Sequence, residues 1–291
     1  MANFTPRSLP TVPKPCESPR VSSCMAGRCD ARGSILALRR PLRVPIHSDR
    51  RCDPPRCVRA GILRLGNIVP DFSANTTQGE WSSFHEWVGD SWCILFSHPA
   101  DFTPVCTTEI GRLALKYEWF KERNVKIATL SVDPVDSHNT WLKDVVAHCE
   151  NGITIDFPII ADADRKISVK YGMLDPTNLE DTGLPLTIRA VFIIDPEKKL
   201  KLQLNYPASV GRNMDEICRC IEALQLSAKN SVATPANWPN NHDSIGMKGS
   251  VFLLPTVTKE DADAYFKDYK TCEVPSGKEY LRLVKTENLS K

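Results

Sequence analysis

The sequence predicts an α/β sandwich built on a mixed sheet, followed by a smaller C-terminal α+β unit. Three observations predict it. From residue 61 onward, apolar runs of strand length alternate with segments of helical period. That strand, helix, strand order is the pattern of sheets whose strands are joined by crossover helices. The 42% hydrophobic content of the 291-residue chain is enough for the core of one ordinary domain and an appendage.

Residues 1–60 form a segment of their own. They hold nine of the 22 prolines, twelve Lys or Arg against four Asp or Glu, and almost no apolar periodicity. Such a composition cannot bury enough surface to offset the entropy of ordering, so the segment reads as disordered. Being Arg-rich, Ser-containing and poor in acids, it fits either an organelle transit peptide or an extension that carries no address. The domain opens near Pro70-Asp71-Phe72. Strands are expected at 92–97, 125–132, 157–160, 189–194 and 200–205, and helices at 104–123, 137–149, 164–171 and 213–226. Residues 61–227 make this domain. Residues 228–291 make the smaller unit, with short strands at Val251 to Leu254 and Tyr280 to Val284 around a helix near 259–269.

Charge and cysteine usage exclude several classes. The net charge of +2 divides into +8 over residues 1–60 and −6 over the rest, so the body offers no basic stripe for nucleic acid. No run of about 18 apolar residues exists to form a transmembrane helix. Five of the eleven cysteines lie in the first sixty residues and the others lack paired spacing. That argues against a disulfide scaffold or a zinc site, and for a reducing compartment. The cytoplasm is the expected location, or the mitochondrion if residues 1–60 are a transit peptide.

The most informative stretch runs from Pro99 to Glu109 and contains Cys106. It follows the apolar run Trp92-Cys93-Ile94-Leu95-Phe96 and precedes a helix with apolar residues at Val105, Ile110, Leu113, Ala114, Tyr117 and Phe120. Thr103 is a good N-cap and Pro104 a good first helical residue. Cys106 then falls in the first turn, where unpaired N–H groups and the positive end of the helix dipole favour an anion. A thiol held there is partly thiolate, the nucleophilic form. The flanking hydroxyls, the proline and Thr107-Thr108-Glu109 do not read as an apolar packing site, which is where most free cysteines are found.

The string Pro99-x-x-x-Thr103-x-x-Cys106 matches the active-site motif of the peroxiredoxins. Its longer form, from Phe96-Ser97-His98-Pro99 through Thr107-Thr108-Glu109, resembles the one-cysteine, peroxiredoxin-6 type. The likeness continues through Gly172-Met173-Leu174-Asp175-Pro176, Leu186-Thr187-Ile188-Arg189, Gly211-Arg212-Asn213, Val232-Ala233-Thr234-Pro235 and Leu253-Leu254-Pro255-Thr256. It implies a thioredoxin-like fold. It also implies a thiol peroxidase that reduces hydrogen peroxide and organic hydroperoxides, phospholipid hydroperoxides among them, and contact with phospholipid surfaces. A homodimer is implied as well.

By the same resemblance Cys106 is the peroxidatic sulfur, Thr103 and Arg189 bind the peroxide, and Pro99 shields the thiolate. His98 matches the family's active-site histidine, with a hydrogen-bonded core histidine as the alternative. Arg212 matches a second arginine near the site. Glu109 either orients Arg189 or interacts with the helix N-terminus. No Val-Cys-Pro resolving motif occurs around Cys272, Cys149, Cys218 or Cys220. The expected cycle is therefore one-cysteine, with an external thiol, glutathione, as reductant and no metal or prosthetic group. The peroxiredoxin-6 type also implies a calcium-independent phospholipase A2 built on Ser91, His85 and an acid at Glu197, where the family has Asp. Here Gly89-Asp90-Ser91-Trp92-Cys93 has Cys in place of the last Gly, and Ser91 precedes a strand rather than opening a helix. A non-enzymatic thiol sensor or holdase would use the same sulfur.

Overall fold

A computed structural model of the chain describes residues 63–149, 152–240 and 248–289. The extension expected over residues 1–60 lies outside them. The chain enters through a hairpin of β1 (Ala74–Thr76) and β2 (Gly79–Trp81), then α1 (Phe84–Val88). The centre of the domain follows as β3 (Trp92–Ser97), α2 (Pro104–Lys121), β4 (Val125–Ser131), α3 (Val135–His148), β5 (Ile159–Ala161) and α4 (Lys166–Tyr171). A two-stranded arm, β6 (Leu174–Leu179) and β7 (Pro185–Thr187), precedes β8 (Arg189–Ile194), β9 (Leu200–Tyr206) and α5 (Met214–Asn230). Beyond α5 come β10 (Val232–Ala233), β11 (Ser250–Leu253), α6 (Lys259–Tyr265), β12 (Lys270–Thr271) and β13 (Arg282–Lys285).

Seven strands form one mixed sheet in the order β2-β1-β5-β4-β3-β8-β9. β3 pairs parallel with β4 and antiparallel with β8. All six residues of β3 and of β8 are buried, because helices cover both faces. Alternation sorts the side chains. Trp92, Ile94 and Phe96 join residues of α2, α3 and α5 on one face, while Cys93 and Leu95 join Phe84, Val88, Ile167 and Tyr171 on the other. This is the α/β sandwich on a mixed sheet that the sequence predicts. The C-terminal strands form a second, four-stranded sheet, β10-β11-β13-β12, with its own core around Val232, Trp238, Val251, Leu253 and Val284.

Several boundaries differ from expectation. The α5 helix runs to Asn230 rather than 226, so the division expected at 227/228 falls inside it. The last helix stops at Tyr265 instead of 269, ahead of Asp268 with its left-handed φ of 59°. The strand expected at 157–160 is Ile159–Ala161, and the one at Tyr280 to Val284 is Arg282–Lys285.

One close approach fixes how α3 lies on α2. The Cys149 sulfur sits where a Cβ on Gly111 would project, and the next atom, Cys149 Cβ, is 3.9 Å away. Gly111→Ala is therefore expected to destabilise by about 1–3 kcal/mol through overpacking. In a Cys149→Ala background the same change is expected to be neutral or stabilising by up to ~1 kcal/mol, the usual gain of Ala over Gly in a helix. Urea unfolding of the four proteins checks this; additive effects would refute it.

Candidate active site

The sheet register assembles the site. Phe96 of β3 pairs with Val191 of β8, so Arg189, the first residue of β8, lies level with the turn that follows β3. That turn, residues 98–103, leads into α2, with Thr103 extended (φ −112°, ψ 145°) at the N-cap and Pro104 opening the helix. Cys106 is the third helical residue, as expected from the sequence.

Its surroundings are more apolar than the flanking sequence suggests. Cys106 has no exposed surface and joins the core cluster with Ile110 and Leu113. The polar contact is Arg189, whose Nη1 lies 3.2 Å from the sulfur. The same Nη1 donates to Glu109 Oε2 (2.8 Å), and Nε donates to the Ala208 carbonyl (2.8 Å). Nη2 makes no hydrogen bond among the described residues, so N–H donors of the guanidinium remain available beside the sulfur.

Glu109 also holds Arg212. The Arg212 backbone N–H and Nε donate to Oε1 (2.7 and 3.0 Å), and Nη2 donates to Oε2 (2.8 Å). Arg212 Nη1 donates to the carbonyls of Ser97 and Ala190, both 2.8 Å away. One buried carboxylate thus braces two buried arginines. Burial pushes the Glu109 carboxyl up, but the charges and hydrogen bonds of Arg212, together with the charge of Arg189, outweigh it and hold the group below the usual glutamate range. Of the two roles weighed for Glu109, the helix N-terminus does not apply, because Glu109 lies beyond the first turn of α2.

The Thr103 hydroxyl does not cap α2. It donates to the Ala100 carbonyl at 3.0 Å, which leaves its oxygen able to accept. Pro99 is buried in the turn. His98, also buried, places Nε2 3.2 Å from Asp101 Oδ1, while its Nδ1 has no hydrogen-bond partner among the described residues. Burial pushes the His98 ring down, opposed in part by its hydrogen bond to Asp101. Asp101 was not singled out from the sequence. Burial pushes its carboxyl up, yet hydrogen bonds from His138 and His98 outweigh this and hold it well below the carboxylate range.

Ser91, His85 and Glu197 are not bonded to one another. Ser91 donates to Asn124 Oδ1 (2.8 Å) in the turn before β3, and His85 Nε2 contacts the Val69 carbonyl (2.9 Å). Glu197 is exposed in the β8–β9 turn, where it pairs with Lys199. No nucleophile elbow is built at Ser91, because the chain continues into a strand. Among the remaining described cysteines, Cys218 and Cys220 are buried in α5 and pushed up to about 11, chiefly by burial. Cys93 lies on the opposite face of the sheet from Cys106 and is also pushed up by burial.

Known proteins resemble this chain over most of the described residues. The AhpC/TSA family profile matches residues 65–203, and that of the C-terminal domain of 1-Cys peroxiredoxin matches residues 223–268. Peroxiredoxin-6 of Rattus norvegicus is 50% identical over 227 residues, covering 76% of this chain and 97% of that protein. The crystal structure of a cysteine-to-serine mutant of peroxiredoxin 6 from Arenicola marina superposes with a TM-score of 0.71. It is 46% identical and covers 77% of this chain and 98% of that one. A yeast mitochondrial 1-Cys peroxiredoxin superposes with a TM-score of 0.66 at 42% identity, over 77% of this chain and all of that one. With the motif cysteine at a helix start, an arginine on its sulfur and both family profiles matched in order, the chain belongs to the peroxiredoxin family, in its one-cysteine, peroxiredoxin-6 type, and is a thiol peroxidase.

Proposed function

We propose that the enzyme reduces hydrogen peroxide and organic hydroperoxides, phospholipid hydroperoxides included, through a one-cysteine cycle at Cys106 with glutathione as the reductant. The observation that carries this is the Arg189 Nη1 contact with the Cys106 sulfur, 3.2 Å, at the first turn of α2. The guanidinium and the helix N-terminus both favour the thiolate. The thiolate attacks the nearer peroxide oxygen. The O–O bond breaks, Cys106 becomes a sulfenic acid, and the other oxygen leaves as hydroxide or alkoxide and takes up the proton released when the thiol ionised, giving water or alcohol. Developing negative charge on the leaving oxygen is met by the free N–H donors of Arg189. Thr103, Pro99 and His98 border this reaction, and Arg212 and Glu109 keep Arg189 in place.

One molecule of glutathione then displaces water from the sulfenic acid to give a mixed disulfide, and a second releases the Cys106 thiol and glutathione disulfide. The yeast mitochondrial relative is described by its thiol resolution through glutathione and thioredoxin systems, which supports an external thiol here. A homodimer and a reducing location, the cytoplasm or the mitochondrion, belong to the same reading. Among the described residues no helix is long and apolar enough to cross a membrane. Mass spectrometry of Cys106 after a limited peroxide pulse tests the cycle. Sulfenic acid is expected without glutathione and a Cys106–glutathione adduct with it. A disulfide from Cys106 to Cys149, Cys218, Cys220 or Cys272 would overturn the one-cysteine assignment.

A further inference from the structure

The ladder between β3 and β8 stops one residue before both strands do. Its register runs from Cys93–Ile194 to Phe96–Val191. Ser97 and Ala190 come next on it and belong to their strands, yet the register does not pair them. Side chains stand where the next rung would be. A direct antiparallel rung would carry the Ala190 N–H to the Ser97 carbonyl. Instead the Ala190 N–H donates to the Ser97 hydroxyl (3.0 Å), and that hydroxyl donates to the Ile188 carbonyl (2.6 Å). The Ser97 carbonyl takes Arg212 Nη1, which it shares with the Ala190 carbonyl. Ser97 has no exposed surface, so its hydroxyl is held by these strand atoms alone.

This opening lies next to the reacting sulfur. Arg189 follows Ile188 and precedes Ala190, so the Ser97 hydroxyl holds the chain on both sides of the residue whose Nη1 lies 3.2 Å from Cys106. Arg212, seated in the same opening, holds Glu109 through Nε and Nη2, and Glu109 in turn holds Arg189. A closed rung would draw the two strands together and leave Arg212 Nη1 without its place between the carbonyls.

We propose that Ser97 is a positioning residue for peroxide reduction: its hydroxyl keeps the ends of β3 and β8 apart, so that Arg212 seats between them and Arg189 meets the Cys106 sulfur. This rests on the reading of Cys106 as the peroxidatic sulfur.

The test compares Ser97→Ala and Ser97→Thr in the full chain. Each is read by kcat/KM for hydrogen peroxide across pH and by urea unfolding. Alanine removes only the oxygen. It is expected to lower kcat/KM near neutral pH roughly tenfold to a hundredfold, the scale of a small misplacement at a reacting centre. It should also move the rise of the pH profile to higher pH, because a displaced guanidinium favours the thiolate less. The loss therefore narrows as pH rises. Threonine keeps the hydroxyl and suits a strand, so rate and profile should stay close to wild type. An unchanged rate in Ser97→Ala, or the same factor lost at every pH, would overturn the proposal. So would a loss in Ser97→Thr equal to that in Ser97→Ala. Should Ser97→Ala fail to fold, Ser97→Thr decides alone: a tenfold loss there refutes the role of the hydroxyl. A Cys106→Ser control that kept turnover would instead sink the peroxidatic reading, so the two failures are separable.

Discussion

Cys106→Ser is expected to abolish peroxide consumption while leaving the fold and its unfolding midpoint close to wild type. Serine preserves the size of the side chain, but its hydroxyl is not ionised near neutral pH, and an un-ionised hydroxyl is a poor nucleophile. Removing a nucleophile from a preassembled site costs on the order of 10⁶ in rate where this has been measured. Arg189 would still face position 106, and Glu109 would still hold Arg189, so nothing in the buried ion cluster is lost. Cys272→Ser is expected to retain full turnover, because Cys272 lies in the C-terminal unit beside β12. Coupled glutathione oxidation, with circular dichroism of each variant, checks both. Equal loss in the two variants would refute a one-cysteine cycle.

Glu109→Gln is expected to be the most damaging change away from the sulfur. Glu109, Arg189 and Arg212 have side-chain exposures of 4%, 3% and 1%, so solvent screens their interaction little. Breaking a buried charge pair by removing one partner leaves the other charge uncompensated and typically costs 3–5 kcal/mol, and here two guanidiniums share the lost anion, so about 4 kcal/mol is expected. The amide can still accept at one oxygen, but its NH₂ faces a guanidinium. Arg189 then loses its brace, and peroxide reduction is expected to fall with stability. Acid acts in the same direction. The folded Glu109 carboxyl is held below its usual range, so its contribution is complete above the ordinary glutamate value and is lost as pH falls through the depressed one. Urea unfolding of wild type and variant from neutral pH to below pH 4 checks this. The two curves should converge in acid; a constant gap would refute the brace.

What the sequence made legible follows from local signal. Strands β3 and β8 each hold five consecutive apolar residues covered on both faces, and α2 starts at a Thr-Pro pair, so strand, turn and helix around Cys106 could be placed from residue order alone. β1, β2, β6 and β7 were missed. They are two short polar pairs whose hairpin partners, rather than hydrophobicity, make them strands. Arg189 could be chosen only through the family likeness, because its meeting with Cys106 depends on the antiparallel β3–β8 register. The Asp101–His138 contact was invisible for a related reason. The residues lie 37 positions apart and meet because β4, parallel to β3, delivers α3 to the same end of the sheet. A buried Asp three residues after a buried His was the available hint. The sequence also pointed to a polar setting for Cys106, whereas the sulfur is enclosed by core residues and meets its single guanidinium from the far side of the turn.

Glu109, Arg189 and Arg212 together carry a surplus of one positive charge beside the sulfur. On the proposed cycle an anionic sulfur offsets that charge and an uncharged sulfenic acid does not. The same guanidiniums then favour either anion that can follow, a reducing thiolate or the sulfinate of a second oxidation, and the supply of reductant decides which arrives first.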